Sequence, residues 1–415
     1  MQLKRVVVTG LGALTPIGNN VPEYWNGLAN GVSGSDWITR FDASKFKTRF
    51  ACEVKNFDPS SFFERKEVKK YDLYTQFALV AASEAIKNSE INLDEADLER
   101  IGVIWASGIG GIATFGDEMK NYFSGDGTPR FNPFFIPKMI SDIAAGQISI
   151  KFGLKGLNYA TVSACASSSN AIIDAFNYIR LGKANIIVSG GSEASITEAG
   201  VGGFNALQAL STNNEGYKTA SKPFDKDRDG FVIGEGGGGL IIEEYEHAIK
   251  RGAKVYAEIV GGGMSADAFH LTASHPEGDG AFRAMRDALE DANIAPENID
   301  YINVHGTSTP VGDPSEVKAI QRLFGEHAYN LNISATKSMT GHLLGAAGAI
   351  EAIASILAME NSLIPPTINH LTFDPEFDSK LNFTFNKAQQ REVKYAISNT
   401  FGFGGHNTSI IFKKI

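Results

Sequence analysis

The chain has two cysteines. One of them, Cys165, stands in "TVSACASSSNAI" (residues 161–172) with only alanine and serine within two positions on either side. Packed among small residues, such a thiol is a minor hydrophobe of the core. At a strand-to-helix turn it is a nucleophile, because helix N–H groups and the macrodipole stabilise thiolate and lower the thiol pKa. Three distant stretches weigh toward the second reading. "NVHGTSTPVGD" (303–313) ends an apolar run on His305, followed by Thr307, Ser308 and Thr309. "TKSMTGHLLGAAG" (336–348) carries Lys337 and His342 in a second loop. "NTFGFGGHN" (399–407) is a glycine-rich turn whose N–H groups could face an oxyanion. A thiol, two imidazoles and a cradle of backbone donors are the parts of covalent catalysis through sulfur. Glu351, on an otherwise apolar helical stretch, needs a partner for its charge; a structural ion pair is the simplest.

These residues need elements to hold them. "RVVVTG", "IGVIWAS", "ANIIVSGG" and "GLIIEE" read as strands, and "YTQFALVAASEAIKNS" and "NAIIDAFNYIRLGK" as amphipathic helices. The second half repeats the theme with "KVYAEIVGGG", "AFRAMRDALEDA", "YINVHG", "LNISATKS", "GAIEAIASILAM" and "AISNTFGFGG". Alternation of this kind predicts mixed α/β layers with helices covering a buried sheet. The halves also match each other: 160–176 is built like 334–353, each a short strand, a turn of small residues and a helix, and 234–244 resembles 402–414. Two related halves with a boundary near residue 250 would bring Cys165 and His342 together across a pseudo-twofold axis.

Composition bounds the rest. A chain of 415 residues with 43% hydrophobic and 20% charged residues suits a globular enzyme. Two cysteines give no disulfide framework or zinc spacing, which favours a reducing compartment. The net charge of −9 argues against a nucleic-acid partner. The start "MQLKRVVVTG" carries no long apolar leader segment. The segment at 343–359, interrupted by Glu351, reads as too short to cross a bilayer. "TGLGALTP" (9–16) lacks the third glycine of a dinucleotide loop, and "DKDRDGFVIGEG" (225–236) has Gly236 where a calcium loop needs glutamate; it reads as a polar turn.

Taken together, "SACASSSNAI", "HGTSTPVGD", "KSMTGHLLGAAG" and "NTFGFGGHN" resemble the motifs of the β-ketoacyl-ACP synthases of the thiolase-like fold. The likeness runs from "KRVVVTGLGALTPIG" to "IIFKKI" and is nearest to the elongating synthase II type. The resemblance implies an α/β thiolase-like fold of two pseudo-duplicated halves in α-β-α-β-α layers. Residues 1–250 would carry the nucleophile and 251–415 the two histidines. Cys165 would take an acyl group from a carrier thioester, with the N–H groups of Cys165 and Phe403 as the oxyanion hole. His305 and His342 would hold the malonyl thioester oxygen while CO₂ leaves, giving a 3-oxoacyl product two carbons longer; His305 could also assist as a base. Lys337 and Glu351 would support the histidines through hydrogen bonds, which is compatible with a structural pair. Thr307, Thr309 and Thr272 would bind the pantetheine arm, with Asp267 and His270 in the same mobile loop as Thr272. Ile109, Ala164, Phe204 and Phe403 would line or gate the acyl pocket.

The substrates would ride on the phosphopantetheine of acyl carrier protein, with no resident cofactor or metal. Arg65, Lys66, Lys69 and Lys70 of "ERKEVKKYD", with Arg130, would dock that acidic carrier, although a charge run alone is usually a solvated helix face. Gln208 stands where a relative has a carrier-binding arginine. The family also implies a homodimer, with "NPFFIP" (132–137) crossing the interface; cysteine usage, net charge and the short apolar segment point to a cytoplasmic protein that contacts neither nucleic acid nor membrane. A polyketide or aryl-polyene ketosynthase would use the same chemistry. A CoA thiolase would need a second cysteine near the C-terminus, and "GFGGHN" has none. A papain-like protease would fit the 140-residue spacing of Cys165 and His305 but not the surround of the cysteine. A non-catalytic chain-length factor would lack the nucleophile.

Overall fold

A strand buried on both faces has no need of polar alternation, and "VVVTGLGAL" is buried at all nine positions of β1 (Val6–Leu14) in the computed structural model, which describes residues 3–415. Nine further strands join it in one mixed sheet: β2 (Ile101–Ala106), β3 (Asn158–Tyr159), β4 (Ile186–Glu193), β5 (Gly236–Glu244), β6 (Ala257–Ala266), β7 (Tyr301–Asn303), β8 (Asn332–Ser334), β9 (Tyr395–Gly402) and β10 (His406–Lys413). Their spatial order is β8-β7-β9-β10-β6-β1-β5-β4-β2-β3. In the first five, β1–β5 and β5–β4 are antiparallel while β4–β2 and β2–β3 are parallel. The second five repeat this, with β6–β10 and β10–β9 antiparallel and β9–β7 and β7–β8 parallel. The two sets meet where Val6–Val8 pair with Ala257–Ile259.

Seven helices position the site: α1 (Leu73–Asn88), α2 (Ile112–Ser124), α3 (Ser167–Arg180), α4 (Glu198–Ala206), α5 (Asp279–Ala292), α6 (Gly312–Phe324) and α7 (Ala347–Asn361). α1 covers β1, β5 and β4; α5 covers β6 and β10. α3 and α7 pack on each other and on strands of both sets, forming the middle of five layers. This is the α-β-α-β-α order expected of a thiolase-like fold. The glycines of the strands explain how close the helices lie. A Cβ on Gly12 would come within 2.0 Å of the Ala81 carbonyl of α1, and one on Gly263 within 2.0 Å of the Ala284 carbonyl of α5, so the same device recurs in both halves.

Two expectations are refined here. The helical stretch Leu344–Asn361 runs for 18 residues, long and apolar enough to span a bilayer, whereas 343–359 reads as too short. It is nonetheless 89% buried, so its apolarity belongs to the protein core. Glu351 on α7 is fully buried, as the need for a partner anticipated. The acids of 225–236 serve the backbone: Asp225 accepts from the N–H groups of Leu371 and Thr372 at 2.7 Å, and Asp229 from Thr212 at 3.0 Å.

Candidate active site

Cys165 sits in an elbow just before α3. Ala164 adopts φ +50°, a left-handed conformation that L-residues occupy only when their surroundings enforce it. The serines supply that enforcement. Ser167 Oγ donates to the Ala164 carbonyl at 2.6 Å and accepts from the Ser163 N–H at 2.9 Å. Ser168 Oγ accepts from the Ala349 N–H of α7, and Ser169 Oγ donates to Thr400 Oγ1 of β9, each at 3.0 Å. The three serines therefore fix the nucleophile's turn to the elements that carry the opposing groups. At Gly402 a Cβ would lie 2.9 Å from the Ser163 carbonyl and 3.0 Å from the Cys165 nitrogen; without one, β9 comes close enough for the Phe403 N–H to donate to the Cys165 sulfur.

His342 Nε2 lies 3.0 Å from Cys165 Sγ, and the His305 and His342 rings stand edge to face with centroids 5.2 Å apart. Cys165 and His342 thus meet, as expected from the sequence. Behind the imidazoles, Lys337 Nζ forms a short hydrogen bond to Glu351 Oε1, with both side chains 1% exposed. Burial pushes both imidazoles well below their ordinary pKa, and the positive charge of Lys337 pushes them further. They are neutral at physiological pH. The thiol departs from expectation. Burial pushes Cys165 up to about 12, outweighing the opposing effects of Lys337 and the Phe403 N–H. The thiol is 8% exposed, and its lost solvation is the largest effect on it. The resting site is a neutral thiol against a neutral imidazole, unlike the thiolate–imidazolium pair on which a papain-type protease depends.

A cavity of about 360 Å³ opens onto these groups. Cys165, His305 and His342 line it with Thr272, Thr307, Thr309, Phe204, Phe403 and Gln208. The Thr307 and Thr309 hydroxyls are 3.1 Å apart. Phe403 precedes two glycines with φ +89° and +76°, and the Gly404 N–H donates to the Leu271 carbonyl at 2.7 Å, tying this turn to the 267–275 loop.

Other expected site residues lie elsewhere. Ile109 and Ala164 do not line this cavity: Ala164 directs its carbonyl toward Gly108, and Ile109, the next residue, is exposed. His270 is also outside it; its Nδ1 accepts from the Thr272 and Ala273 N–H groups at 3.1 Å, shaping the turn that presents Thr272. Arg65, Lys66, Lys69, Lys70 and Arg130 are exposed and off the cavity wall.

Three buried carboxylates went unread in the sequence. Glu316 on α6 accepts from the His305 and Gly306 N–H groups, both at 2.9 Å, and so fixes the histidine's backbone. Asp313 accepts from the Ser308 and Thr309 N–H groups at 3.1 and 3.3 Å and holds the threonine turn. Glu193, at the end of β4, is fully buried. Burial pushes Glu316 and Glu193 up to about 7 and Asp313 up to about 6 against their hydrogen bonds. The "D-x-x-E" spacing of 313–316 on one helix face was the available sequence signal for the first two.

The comparisons with known proteins agree with this geometry. Residues 3–248 match the family described as "Beta-ketoacyl synthase, N-terminal domain", and residues 256–371 match "Beta-ketoacyl synthase, C-terminal domain". A 3-oxoacyl-[acyl-carrier-protein] synthase 2 of Staphylococcus aureus is 50% identical over 413 residues, covering 100% of this chain and 99% of its own. A protein of the same name from Synechocystis is 49% identical over 414 residues, with the same coverage. Among solved structures, a type II polyketide ketosynthase in complex with its acyl-carrier protein superposes with TM-score 0.93 at 34% identity, covering both chains fully. A beta-ketoacyl synthase from Burkholderia phymatum superposes with TM-score 0.90 at 36% identity, covering 99% of this chain and 100% of its own. With the Cys165 elbow, the two imidazoles and both halves of the sheet accounted for, the chain belongs to the beta-ketoacyl synthase family.

Proposed function

We propose that this protein is an elongating 3-oxoacyl-[acyl-carrier-protein] synthase whose nucleophile is Cys165. The observation that carries the reading is the Cys165 thiol 3.0 Å from His342 Nε2, on one cavity with His305 and backed by Lys337. Cys165 attacks the acyl thioester, the bond to the carrier sulfur breaks, and the thiol proton passes to the departing carrier thiolate. The N–H groups of Cys165 and Phe403 take up the developing oxyanion, each worth roughly 3–4 kcal/mol in comparable sites. Malonyl-carrier then enters. Neutral His305 and His342 donate to its thioester oxygen while the C–C bond to the carboxylate breaks and CO₂ leaves. The enolate attacks the acyl carbon, the bond to Cys165 sulfur breaks, and the departing thiolate takes up one proton from solvent, the proton that the overall condensation consumes. The reacting groups are the chain's own side chains, so the reaction as proposed draws on no resident cofactor.

Further observations support the rest of the reading. Thr272, Thr307 and Thr309 at the cavity wall suit the amides of a pantetheine arm. Arg65 and Lys66 on a short helical turn, and Lys69 and Lys70 just after it, are exposed cations suited with Arg130 to an acidic carrier. A polyketide ketosynthase would run the same steps, but full-length identity of 50% to a 3-oxoacyl synthase 2, against 34% to the polyketide enzyme, favours fatty acid elongation. A cytoplasmic setting is supported by the two free thiols. The division into 1–250 and 251–415 is supported by the repeated order of strand pairing.

The test is a product assay with acyl-carriers of graded length and malonyl-carrier. Equal amounts of 3-oxoacyl-carrier and CO₂ are expected; condensation that needs CoA thioesters and releases no CO₂ would defeat the reading. A homodimer is part of the same proposal. Phe123 is 78% exposed and Phe115, Phe131, Phe134 and Ile136 are exposed beside it on α2 and the segment after it, an apolar patch that needs a cover. Sedimentation is expected to give twice the 44.6 kDa chain mass, and a monomer at micromolar concentration would remove the claim.

A further inference from the structure

Glu193 has no part in the chemistry derived so far, yet it accepts from five donors on three segments. Oε2 receives the Gly108 N–H at 2.8 Å and the Gly345 N–H at 3.1 Å. Oε1 receives the Ser107 hydroxyl at 3.2 Å, the Ile109 N–H at 3.3 Å and the Ser195 hydroxyl at 3.2 Å. Among the described residues no lysine or arginine pairs with it, so a fully buried carboxylate is held by neutral donors alone.

The segments it joins are not arbitrary. Gly345 follows His342 by three residues and adjoins Leu344, a cavity wall residue held at φ +48°. Gly108 packs against the nucleophile's elbow: a Cβ there would lie 3.4 Å from the Ala164 carbonyl and 3.3 Å from the Gly345 nitrogen. One carboxylate oxygen therefore spans the turn that abuts Cys165, from the first half, and the turn that follows His342, from the second. We infer that Glu193 is a positioning residue that sets the distance and alignment of Cys165 and His342 across the two halves of the fold. A carboxyl group, which can offer both oxygens as acceptors, suits this task better than an amide. Both N–H groups on Oε2 must be met by an acceptor, and the NH₂ of a glutamine would oppose one set of donors whichever way it turned. The turn that loses its acceptor drifts, and a drift on the order of 1 Å in reacting groups costs about 10²-fold in rate.

The inference rests on the condensing role of Cys165 and His342 for its kinetic arm only. The test compares wild type with Glu193→Gln in two measurements: kcat and KM for acyl-carrier condensation, and the pH profile of Cys165 alkylation by iodoacetamide, read on the Cys165 peptide. Expected for Glu193→Gln are a kcat lower by roughly 10- to 10²-fold, a KM within about twofold of wild type, and an alkylation profile displaced because His342 no longer meets the thiol. Unchanged kcat and profile would overturn the inference, as would losses in kcat and KM that simply follow a lowered melting temperature. If Glu193→Gln does not fold, Glu193→Asp decides; it keeps the carboxyl group but is too short to hold both turns. Wild-type kcat in that variant overturns the inference, and so does failure of both variants to fold, which would make Glu193 structural only. A displaced alkylation profile in a protein that never condenses acyl-carriers would instead fault the proposed function and leave the positioning role standing.

Discussion

Cys165→Ala is expected to accept no acyl label and to lose condensation by at least about 10⁴-fold, the scale seen when a covalent nucleophile is removed. The thiol is 8% exposed and points into the cavity, so its loss removes one sulfur from a site already built for small side chains, and the fold should survive. Peptide mapping of acylated wild type is expected to find the label on Cys165 and none on Cys52, which is 1% exposed and does not line the cavity. Label on Cys52, or acyl transfer retained by Cys165→Ala, would defeat the assignment. Any residual malonyl decarboxylation in the variant would come from the imidazoles and the Phe403 N–H, which do not depend on sulfur.

Lys337→Met is expected to produce the second large effect, and it separates electrostatics from packing. Lys337 and Glu351 are both buried, so removing one partner strands the other; such single removals cost about 3–5 kcal/mol. Glu351 can escape by holding a proton, since burial already pushes its pKa up and only Lys337 opposes that. A carboxyl whose folded pKa lies above its unfolded 4.5 loses stability for the protein as pH rises above 4.5, until pH passes the folded value. Without Lys337 the folded value rises further, so the decline in melting temperature should extend to higher pH than in wild type. Adding Glu351→Gln should restore most of the melting temperature and abolish that pH dependence. Condensation should stay depressed by roughly 10²–10³-fold in both variants, the scale of losing one fixed electrostatic group. A double variant that regains activity would make Lys337 merely structural.

The continuous apolar runs were legible in the sequence because their burial is nearly complete. β1, β4, β5 and α7 are buried along almost their whole length, so their residues carry one unmixed signal. α2 was not, since only Thr114 of its thirteen residues is buried and its apolar side chains face outward in the single chain. The same division runs through the site. Cys165, His305, His342 and Lys337 are reactive residue types in glycine- and serine-rich turns, and the turns betray them. Glu316, Asp313 and Glu193 look like ordinary acids, since nothing in their local sequence reveals the backbone N–H groups that each will receive.

By itself the sequence determined which residues are chemically able to act, that two similar halves present them, and that the family is a condensing one. Only the tertiary structure decided their protonation. A helix N-terminus favours thiolate when solvent or charge can reach it, and the sequence places Cys165 at such a terminus. The fold then buries that turn with two imidazoles and a lysine; desolvation outweighs Lys337 and the Phe403 N–H at the thiol and acts with Lys337 at the imidazoles, so the thiol is pushed up and the imidazoles down, toward their neutral forms. Local sequence specifies the groups; their pKa values depend on the solvent excluded around them, which is a property of segments 140 or more residues apart.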